Sequence, residues 1–169
     1  CCYGLASRSR DFIARIDARP LRILAEYLEP QSRFDDLDIA DTIVFFGSAR
    51  ILSRDDAARA LEDARDGNGD VEAAERRLAL SSYYEDAREL ARRLTEWSKL
   101  LEDIRRRFVV CPGCGPGLTE APHRGASEAH GINIGPTISL PEEQVDHPYR
   151  TRELDIAFPQ FFIRRVPCS

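Results

Sequence analysis

The stretch FVVCPGCGPGLTEAPHRGA, residues 108–126, predicts a strand, a glycine turn and a helix in direct succession. The apolar residues RFVVC (107–111) are typical of a short buried strand, and a helix is expected over about 117–130. A glycine turn between a strand and a helix is a feature of nucleotide-binding α/β domains, although such turns also serve simply to reverse a chain. The stretch also holds Cys111 and Cys114 in C-x-x-C spacing. Phosphate binding, thiol chemistry and zinc binding are therefore all open at this point.

Strands and helices alternate on either side of this stretch. TIVFFGSARI (42–51) predicts a buried strand cut off at Gly47-Ser48, and INIGPTISL (132–140) predicts a third strand. Helices are expected over 11–30, 55–65, 70–79 and from Ser81 or Ser82 to about Trp97. This alternation predicts an α/β fold, with a parallel sheet of about three strands and helices on both faces.

Two details of the helices can be compared directly with a structure. Pro20 suits the first turn of the first helix, and Pro30 is expected to stop that helix, with a polar connector after it. In the helix that ends near Trp97, the expected buried face contains Tyr83, Ala87, Leu90, Ala91 and Leu94.

The length, composition and net charge of the chain exclude several classes of partner. The chain has 169 residues, a length that suits one domain with a real core. Its net charge of −5 offers no general basic surface for nucleic acid. No apolar stretch is long enough to span a bilayer and no signal-peptide pattern opens the chain, so we predict no membrane contact and a cytoplasmic location. The odd number of cysteines, five, does not suit a secreted disulfide framework.

The cysteine pair admits a redox and a zinc interpretation. A redox thiolate gains its low pKa at the start of a helix, but Gly115-Pro116-Gly117 should delay the helix until after the pair. Zinc needs four ligands, and Cys111 and Cys114 could be joined by His123 and His130. The resulting C-x2-C-x8-H-x6-H spacing departs from that of the usual zinc fingers.

The phosphate interpretation requires less of the sequence. Gly113, Gly115 and Gly117 permit positive φ and leave no Cβ to block a ligand. The helix that follows offers free N–H groups and a positive dipole end to an anion. Both predicted glycine turns also follow strands, and ligands of parallel sheets bind at the carboxyl ends of strands.

Five segments in this order resemble the Lonely Guy family. They are DTIVFFGSARI, YYEDARELARRLTEWS, GCGPGLTEAPHRGASEAHG, NIGPTISLPEEQ and LDIAFPQFFIRR, and together they span nearly all of residues 20–166. Members of this family are Rossmann-like nucleoside 5′-monophosphate phosphoribohydrolases. The resemblance implies hydrolysis of the N-glycosidic bond of AMP or a cytokinin riboside monophosphate, giving the free base and ribose 5-phosphate. It implies no cofactor and no metal.

The resemblance also implies a set of site residues. Arg164 matches the position of the family's catalytic arginine, and Arg165 lies beside it as a substrate-binding residue. Glu143 matches a glutamate that contacts the nucleotide. The remaining substrate-binding positions are in the two glycine turns: Gly47, Ser48, Gly113, Gly115 and Gly117. Taken from the residues alone, Glu143 is better explained as a surface carboxylate, and the arginine pair as a solvated charge at a helix end.

Three departures from the family pattern affect the expected activity. Cys114 occupies a glycine position, where its side chain would crowd a phosphate, and Pro122 should remove an early hydrogen bond of the following helix. The family's PGGxGTxxE motif, with its catalytic glutamate, is absent from residues 1–169. We therefore expect the N-terminal part of such an enzyme, with an incomplete sheet and impaired activity.

The expected organisation is one truncated Rossmann-like domain, with residues 1–40 as a helical extension and 41–169 as the α/β core. A homodimer would cover apolar surface that an incomplete sheet exposes. The alternative function is a non-catalytic carrier of the same fold that binds a nucleotide or a molybdenum cofactor, since the absent glutamate would not matter to such a protein.

Overall fold

A computed structural model describes residues 5–102, 104–113, 115–138 and 148–158. The α-helices within these ranges are α1 (Arg10–Ala14), α2 (Arg19–Asp36), α3 (Arg54–Asp63), α4 (Val71–Lys99) and α5 (Ala121–Glu128). The strands are β1 (Thr42–Phe45), β2 (Val109–Pro112), β3 (Gly135–Ile138) and β4 (Asp155–Phe158). Short 3-10 turns cover Ala6–Arg8, Ile16–Ala18, Gly117–Thr119 and Arg152–Leu154, and a π turn covers Ala64–Asn68. The mixed helix and strand content agrees with the predicted α/β class.

The four strands form two parallel ladders. β1 pairs with β2 from Thr42 opposite Val109, and β3 pairs with β4 from Gly135 opposite Asp155. The N–H of Ile134 donates to the carbonyl of Val110 at 2.9 Å, so the two ladders lie side by side. The prediction of about three strands was therefore one short within the described residues. It missed β4, whose sequence DIAF begins with a charged residue and lacks the apolar run that marks β1 and β2.

Alternate residues of β2 bury against different layers. Val110 packs with Ala91 of α4 and Ala126 of α5. The residues on either side of Val110 point the opposite way, as in any strand, and join a second cluster. That cluster contains Ile39, Val109, Cys111, Ile134 and Leu154, with Phe34, Leu37 and Ile132 packed against it. Helices therefore lie on both sides of β2, with the C-terminal end of α2 opposite α4 and α5.

The helices predicted over 70–79 and from Ser81 or Ser82 to about Trp97 are one continuous helix, α4, of 29 residues. The predicted break at 66–70 is confirmed, because the π turn ends there and Asp70 caps α4 by accepting from the N–H of Ala73 at 3.1 Å. Ser81 and Ser82 do not cap a new helix. Their hydroxyls donate to the carbonyls three residues earlier, at 2.7 and 3.1 Å.

The buried face of α4 also differs from the predicted one. The residues that α4 buries are Ala74, Ser81, Tyr84, Ala91 and Thr95, whereas Tyr83 and Leu90 are 58% and 51% exposed. Where α5 packs on it, α4 presents the small residue Ala91 to Ala126 of α5, because the two helices approach very closely there. A Cβ added to Gly125 of α5 would lie 2.0 Å from the carbonyl oxygen of Arg88. The prediction is therefore confirmed for Ala91 and wrong for Tyr83 and Leu90, because the close approach of α5, and not hydrophobicity alone, decides which side of α4 faces inward.

Two of the three expectations for proline were wrong. Pro20 lies in the first turn of α2, as predicted, but α2 continues through Pro30 to Asp36. Continuing costs one hydrogen bond, and it brings Phe34 and Leu37 onto the core cluster that surrounds β2. Pro122 lies in the first turn of α5, where an N–H would have no partner within the helix, so the expected loss does not occur.

Candidate functional site

The two glycine turns touch each other at one edge of the sheet. One turn follows β1 and contains Gly47 and Ser48, and the other follows β2 and contains Gly115 and Gly117. The N–H of Leu118 donates to the carbonyl of Ser48 at 3.1 Å. The carboxyl ends of neighbouring parallel strands thus bring two separate motifs of the sequence into contact, where ligands of such sheets bind.

Packing between the turns explains two of the glycines without any ligand. A Cβ on Gly47 would lie 2.5 Å from Cδ2 of Leu118. Gly117 has φ +71, and a Cβ there would lie 2.5 Å from the carbonyl oxygen of Ala49. Gly113 is buried directly after β2. These glycines allow one turn to sit on the other, a requirement that holds whether or not a phosphate binds.

The turn after β2 is held by Thr119. Its hydroxyl bonds to the carbonyl oxygens of Gly115 at 2.5 Å and Pro116 at 3.0 Å. On the other turn, the Ser48 hydroxyl accepts from the N–H of Arg50 at 3.2 Å. Ser48 and Arg50 are exposed. The site therefore offers a rigid backbone with one hydroxyl and one cationic side chain at its surface.

Three ionisable side chains that the sequence analysis missed lie beside the glycine turns. Glu120 immediately precedes α5, Arg124 lies one turn further along, and Tyr84 reaches them from α4. Burial raises the pKa of Tyr84 to about 12, the carboxylate of Glu120 adds to the rise, and Arg124 opposes it. No sequence pattern marks Tyr84, and only its position beside α5 gives it charged neighbours.

An ion network fixes α5 on α4 next to the site. Arg88 makes a two-pronged contact with Glu128, at 2.9 and 2.5 Å, and a third bond to Glu85 at 3.0 Å. Arg124 contributes a contact to Glu128 at 3.3 Å. The hydrogen bonds from Arg88 hold the pKa of Glu128 below its usual value. Arg88 of α4 and Arg124 thus share Glu128 as a partner, which helps to fix the position of Arg124. The Arg124 guanidinium also lies over the ring of Tyr149, 5.8 Å from its centroid.

A buried polar cluster lies at the start of β3. His123 is fully buried, and its Nδ1 is 2.8 Å from Oδ1 of Asn133. The side-chain amide of Asn133 donates to the carbonyl of Tyr149 at 2.9 Å, and its backbone N–H donates to the hydroxyl of Thr151 at 3.1 Å. Asn133 therefore ties the segment after residue 147 to α5 and β3. This cluster gives His123 a structural partner.

The zinc interpretation loses support from these positions. Cys111 is buried in the apolar cluster on one side of β2, whereas α5, which carries His123, packs on the Val110 side. No group of three or more His, Cys, Asp or Glu side chains that could hold a metal occurs in the ranges that the structure describes. The redox interpretation would need a helix that starts at the cysteine pair. α5 begins only at Ala121, after the pair, as predicted.

Four of the residues singled out from the sequence lie outside the described ranges: Cys114, Glu143, Arg164 and Arg165. The thiol interpretation of the cysteine pair and the roles that the family resemblance implies for the other three stay predictions. The predicted residues that the structure brings together are Gly47, Ser48, Gly115 and Gly117.

A cavity of about 210 Å³ lies at the opposite edge of the sheet, beside the first residues of β2. Its lining includes Lys99, Arg107 and His130. The Lys99 ammonium donates to the carbonyls of Ala129 and His130, at 2.5 and 2.9 Å, and so caps the C-terminal end of α5. Arg107 bonds to Asp41 at 2.6 Å. Lys99 and Arg107 therefore serve backbone and carboxylate partners of the fold.

Comparison of the chain with protein-family models finds no match, and a search of curated proteins finds none. Among the described residues, no helix combines the length and the apolar character needed to cross a membrane. The case for a function therefore depends on the contact between the two glycine turns and on the side chains around it.

Proposed function

We propose that the chain binds a nucleoside 5′-monophosphate at the two glycine turns, in the manner of a Lonely Guy-type phosphoribohydrolase with a Rossmann-like fold. The observation that carries the proposal is the bond between the Leu118 N–H and the Ser48 carbonyl, 3.1 Å long, which joins both turns at the carboxyl ends of β1 and β2. This is the place at which open parallel sheets bind nucleotides, with glycine backbone near the phosphate.

The phosphate is assigned to the turn at 113–117 and to the exposed Ser48 and Arg50. No side chain caps the N-terminal end of α5. Its amides and its positive dipole end therefore favour an anion near Gly115 and Gly117. Because Glu120 is negative and would repel a phosphate placed directly against it, the sugar is assigned to the Glu120 side of the turn.

The proposed reaction is hydrolysis of the N-glycosidic bond. Water adds to C1′ of the ribose while the bond to the base breaks, and a proton from the water ends on the base. The ribose gains positive charge as the bond breaks, so a carboxylate beside it stabilises the transition state. We assign this role to Glu120, which precedes α5 beside the glycine turns. The family resemblance adds Glu143 as a nucleotide contact and Arg164, with Arg165 beside it, as the catalytic arginine.

The binding step can be tested by titrating the isotope-labelled protein with AMP and following backbone amide resonances. We expect shifts at Ser48, Gly115, Gly117 and Leu118. His130 and Gly131, at the opposite edge of the sheet, provide an internal control and should stay unchanged. Adenosine, which lacks the phosphate, should cause much smaller shifts. Shifts confined to the control residues, or none at all, would overturn the proposed site.

The chemical step needs a separate assay for adenine release from AMP. We expect binding with severely impaired hydrolysis, because Cys114 replaces a glycine in the turn. Turnover above about 1 s⁻¹, an ordinary enzyme rate, would contradict impairment while supporting the proposed reaction. A pterin-type ligand that binds in place of AMP and is not hydrolysed would favour the carrier function instead.

A further inference from the structure

The cavity beside the first residues of β2 collects positive charge. It has a volume of about 210 Å³ and lies at the opposite edge of the sheet from the glycine turns. Its lining includes Lys99, Arg106 and Arg107, and no aspartate or glutamate is among the described residues that line it. The net charge of the whole chain is −5, so composition does not explain a concentration of cations in one concavity.

The fold holds two of these cations at the cavity wall. The Lys99 ammonium donates to two backbone carbonyls at the end of α5, at 2.5 and 2.9 Å, and so uses two of its three N–H donors. Arg107 is bonded to Asp41, and its guanidinium lies 5.0 Å from the centroid of the Phe108 ring. Because both charges are fixed before a ligand arrives, an anion that binds between them costs little side-chain entropy.

Arg106 has no comparable role in the fold. Its backbone pairs with Asp38 and Ala40, but its exposed side chain makes no hydrogen bond, ion pair or ring contact with any described residue. The exposed ring of His130 has no such contact either within the described ranges. Arg106 therefore brings to the cavity a permanent positive charge that the described part of the fold does not neutralise.

The backbone beside the cavity has an unusual conformation. Phe108 has φ +57 and His130 has φ +53, and both residues line the cavity. A positive φ is uncommon for any residue with a Cβ, and it is an outlier for one as large as phenylalanine. The Phe108 ring is held against that of Trp97, with 5.0 Å between the ring centroids. Residues held in this way cluster at ligand sites, where the surrounding structure fixes the direction of a side chain.

The remaining lining of the cavity decides which anion fits. Phe108, Val109 and Ile132 supply apolar wall, which a bare inorganic anion would leave uncovered. The volume equals that of about seven water molecules at ~30 Å³ each, so a molecule of roughly ten non-hydrogen atoms fits. A nucleoside monophosphate is too large, since drug-sized ligands occupy about 300–1,000 Å³.

We propose that this cavity is a second binding site, and that its ligand is a small organic carboxylate with one compact aromatic or branched apolar group. The carboxylate lies beside Arg106 and the third N–H of Lys99, and the apolar group lies on Phe108 and Ile132. Arginine and lysine donors bind a carboxylate through charge-assisted hydrogen bonds. The site is separate from the glycine turns and does not depend on the function proposed for them.

Phenylacetate and phenylacetamide are a matched pair of probes, because they share a shape and differ in charge. Titration of the isotope-labelled chain with phenylacetate should shift the backbone amide resonances of Phe108, His130 and Ile132. We expect a dissociation constant on the order of 0.1–1 mM, which is ordinary for a ligand of about ten non-hydrogen atoms. Phenylacetamide and inorganic phosphate should each bind at least about tenfold more weakly. The amides of Ser48 and Gly117, at the glycine turns, are the internal control and should not shift.

A substitution then tests the cation that the fold leaves unpaired. Arg106→Gln should raise the dissociation constant for phenylacetate about five- to tenfold, because it removes a charge-assisted hydrogen bond. Arg77→Gln, at an exposed position near the other end of α4, is the matched control and should leave the constant unchanged.

Three results would overturn the proposal: no shifts at about 5 mM phenylacetate, equal binding of phenylacetamide, or an unchanged constant in Arg106→Gln. Phosphate that binds as tightly as phenylacetate would overturn the assignment to an organic carboxylate. The comparison of probes uses the parent chain, so it decides the question even if Arg106→Gln does not fold.

Discussion

The backbone N–H of Leu118 donates to the carbonyl oxygen of Ser48 at 3.1 Å and so joins the turn after β2 to the turn after β1. The two residues are 70 positions apart in the chain, and neither turn could reach this arrangement without the parallel pairing of β1 with β2. A substitution that shifts the backbone of one turn should therefore also shift the other turn. The glycines at the contact are the positions at which such a substitution can be tested.

Gly117→Ala should lower the free energy of unfolding by about 2–4 kcal/mol. Gly117 has φ +71, which disfavours alanine, and the new methyl group would meet the carbonyl oxygen of Ala49 at 2.5 Å. Urea unfolding followed by circular dichroism measures the change. Gly69→Ala is the control, since its backbone is extended and the nearest atom, Cβ of Ala64, would be 3.7 Å away. Equal losses in both variants would contradict the packing explanation.

Gly125→Ala should destabilise the protein by about 2–3 kcal/mol through the contact between α4 and α5. In an isolated helix alanine is better than glycine, so the sign of the effect separates tertiary packing from helix propensity. The added methyl group would overlap the backbone of α4 at Arg88. Ser127→Ala, on the less buried side of α5, should change stability by less than about 0.5 kcal/mol. An increase in the melting temperature of Gly125→Ala would show that the two helices are further apart than described.

Asn133→Ala should cost about 2–4 kcal/mol, because it removes buried hydrogen bonds to His123 and to the carbonyl of Tyr149. The substitution should loosen the segment around Thr151, which Asn133 holds, more than it lowers the stability of the whole fold. We expect the amide of Thr151 to exchange with solvent faster, whereas the amide of Ala91 inside α4 changes only as much as global stability requires. Equal acceleration at both amides would argue against a specific tether.

Tyr84→Phe should change the response of the protein to alkali. The pKa of Tyr84 is raised from 10.0 to about 12, chiefly by burial, so the neutral phenol favours the folded state. The resulting stability is fully present below pH 10 and is lost as the pH rises towards 12. The variant lacks this loss, and its stability should exceed that of the parent increasingly from pH 10 upward.

At pH 7 the same substitution should leave stability unchanged or slightly higher, because the Tyr84 hydroxyl makes no hydrogen bond of good geometry within the described residues. Tyr83→Phe is the control, since Tyr83 is mostly exposed and should behave like the parent at every pH. Absorbance of ionised tyrosine against pH gives a direct measurement. A Tyr84 phenol that ionises near pH 10 would contradict its described burial.

Local patterns allowed part of the fold to be predicted. β1 and β2 were found because each is a short apolar run that ends at glycine, and the break between α3 and α4 was found at 66–70. Three features were not found, for physical reasons. Pro30 was expected to end a helix that packing carries further, and the segment of β4 lacks the apolar run that marks β1 and β2. The inward face of α4 was centred on Tyr83 and Leu90 instead of Tyr84.

Some residues of the candidate site could likewise be predicted from the sequence, and others could not. Gly47, Ser48 and the glycines at 113–117 could be named from the sequence, since backbone freedom is a property of the residue type. Tyr84, Glu120 and Arg124 could not, because nothing in a helical segment marks a tyrosine that will face a carboxylate and a guanidinium from another helix.

By itself, the sequence determined the segments of β1, β2 and β3, which turns need glycine and how strongly each helix is amphipathic, because these properties depend on near neighbours in the chain. The tertiary structure alone decided that the turns after β1 and β2 touch through Leu118 and Ser48. It also decided that α4 turns Tyr84 inward and leaves Leu90 outside. Both outcomes depend on how closely two distant elements can approach, a distance set at Gly117 by the carbonyl of Ala49 and at Gly125 by the backbone of α4.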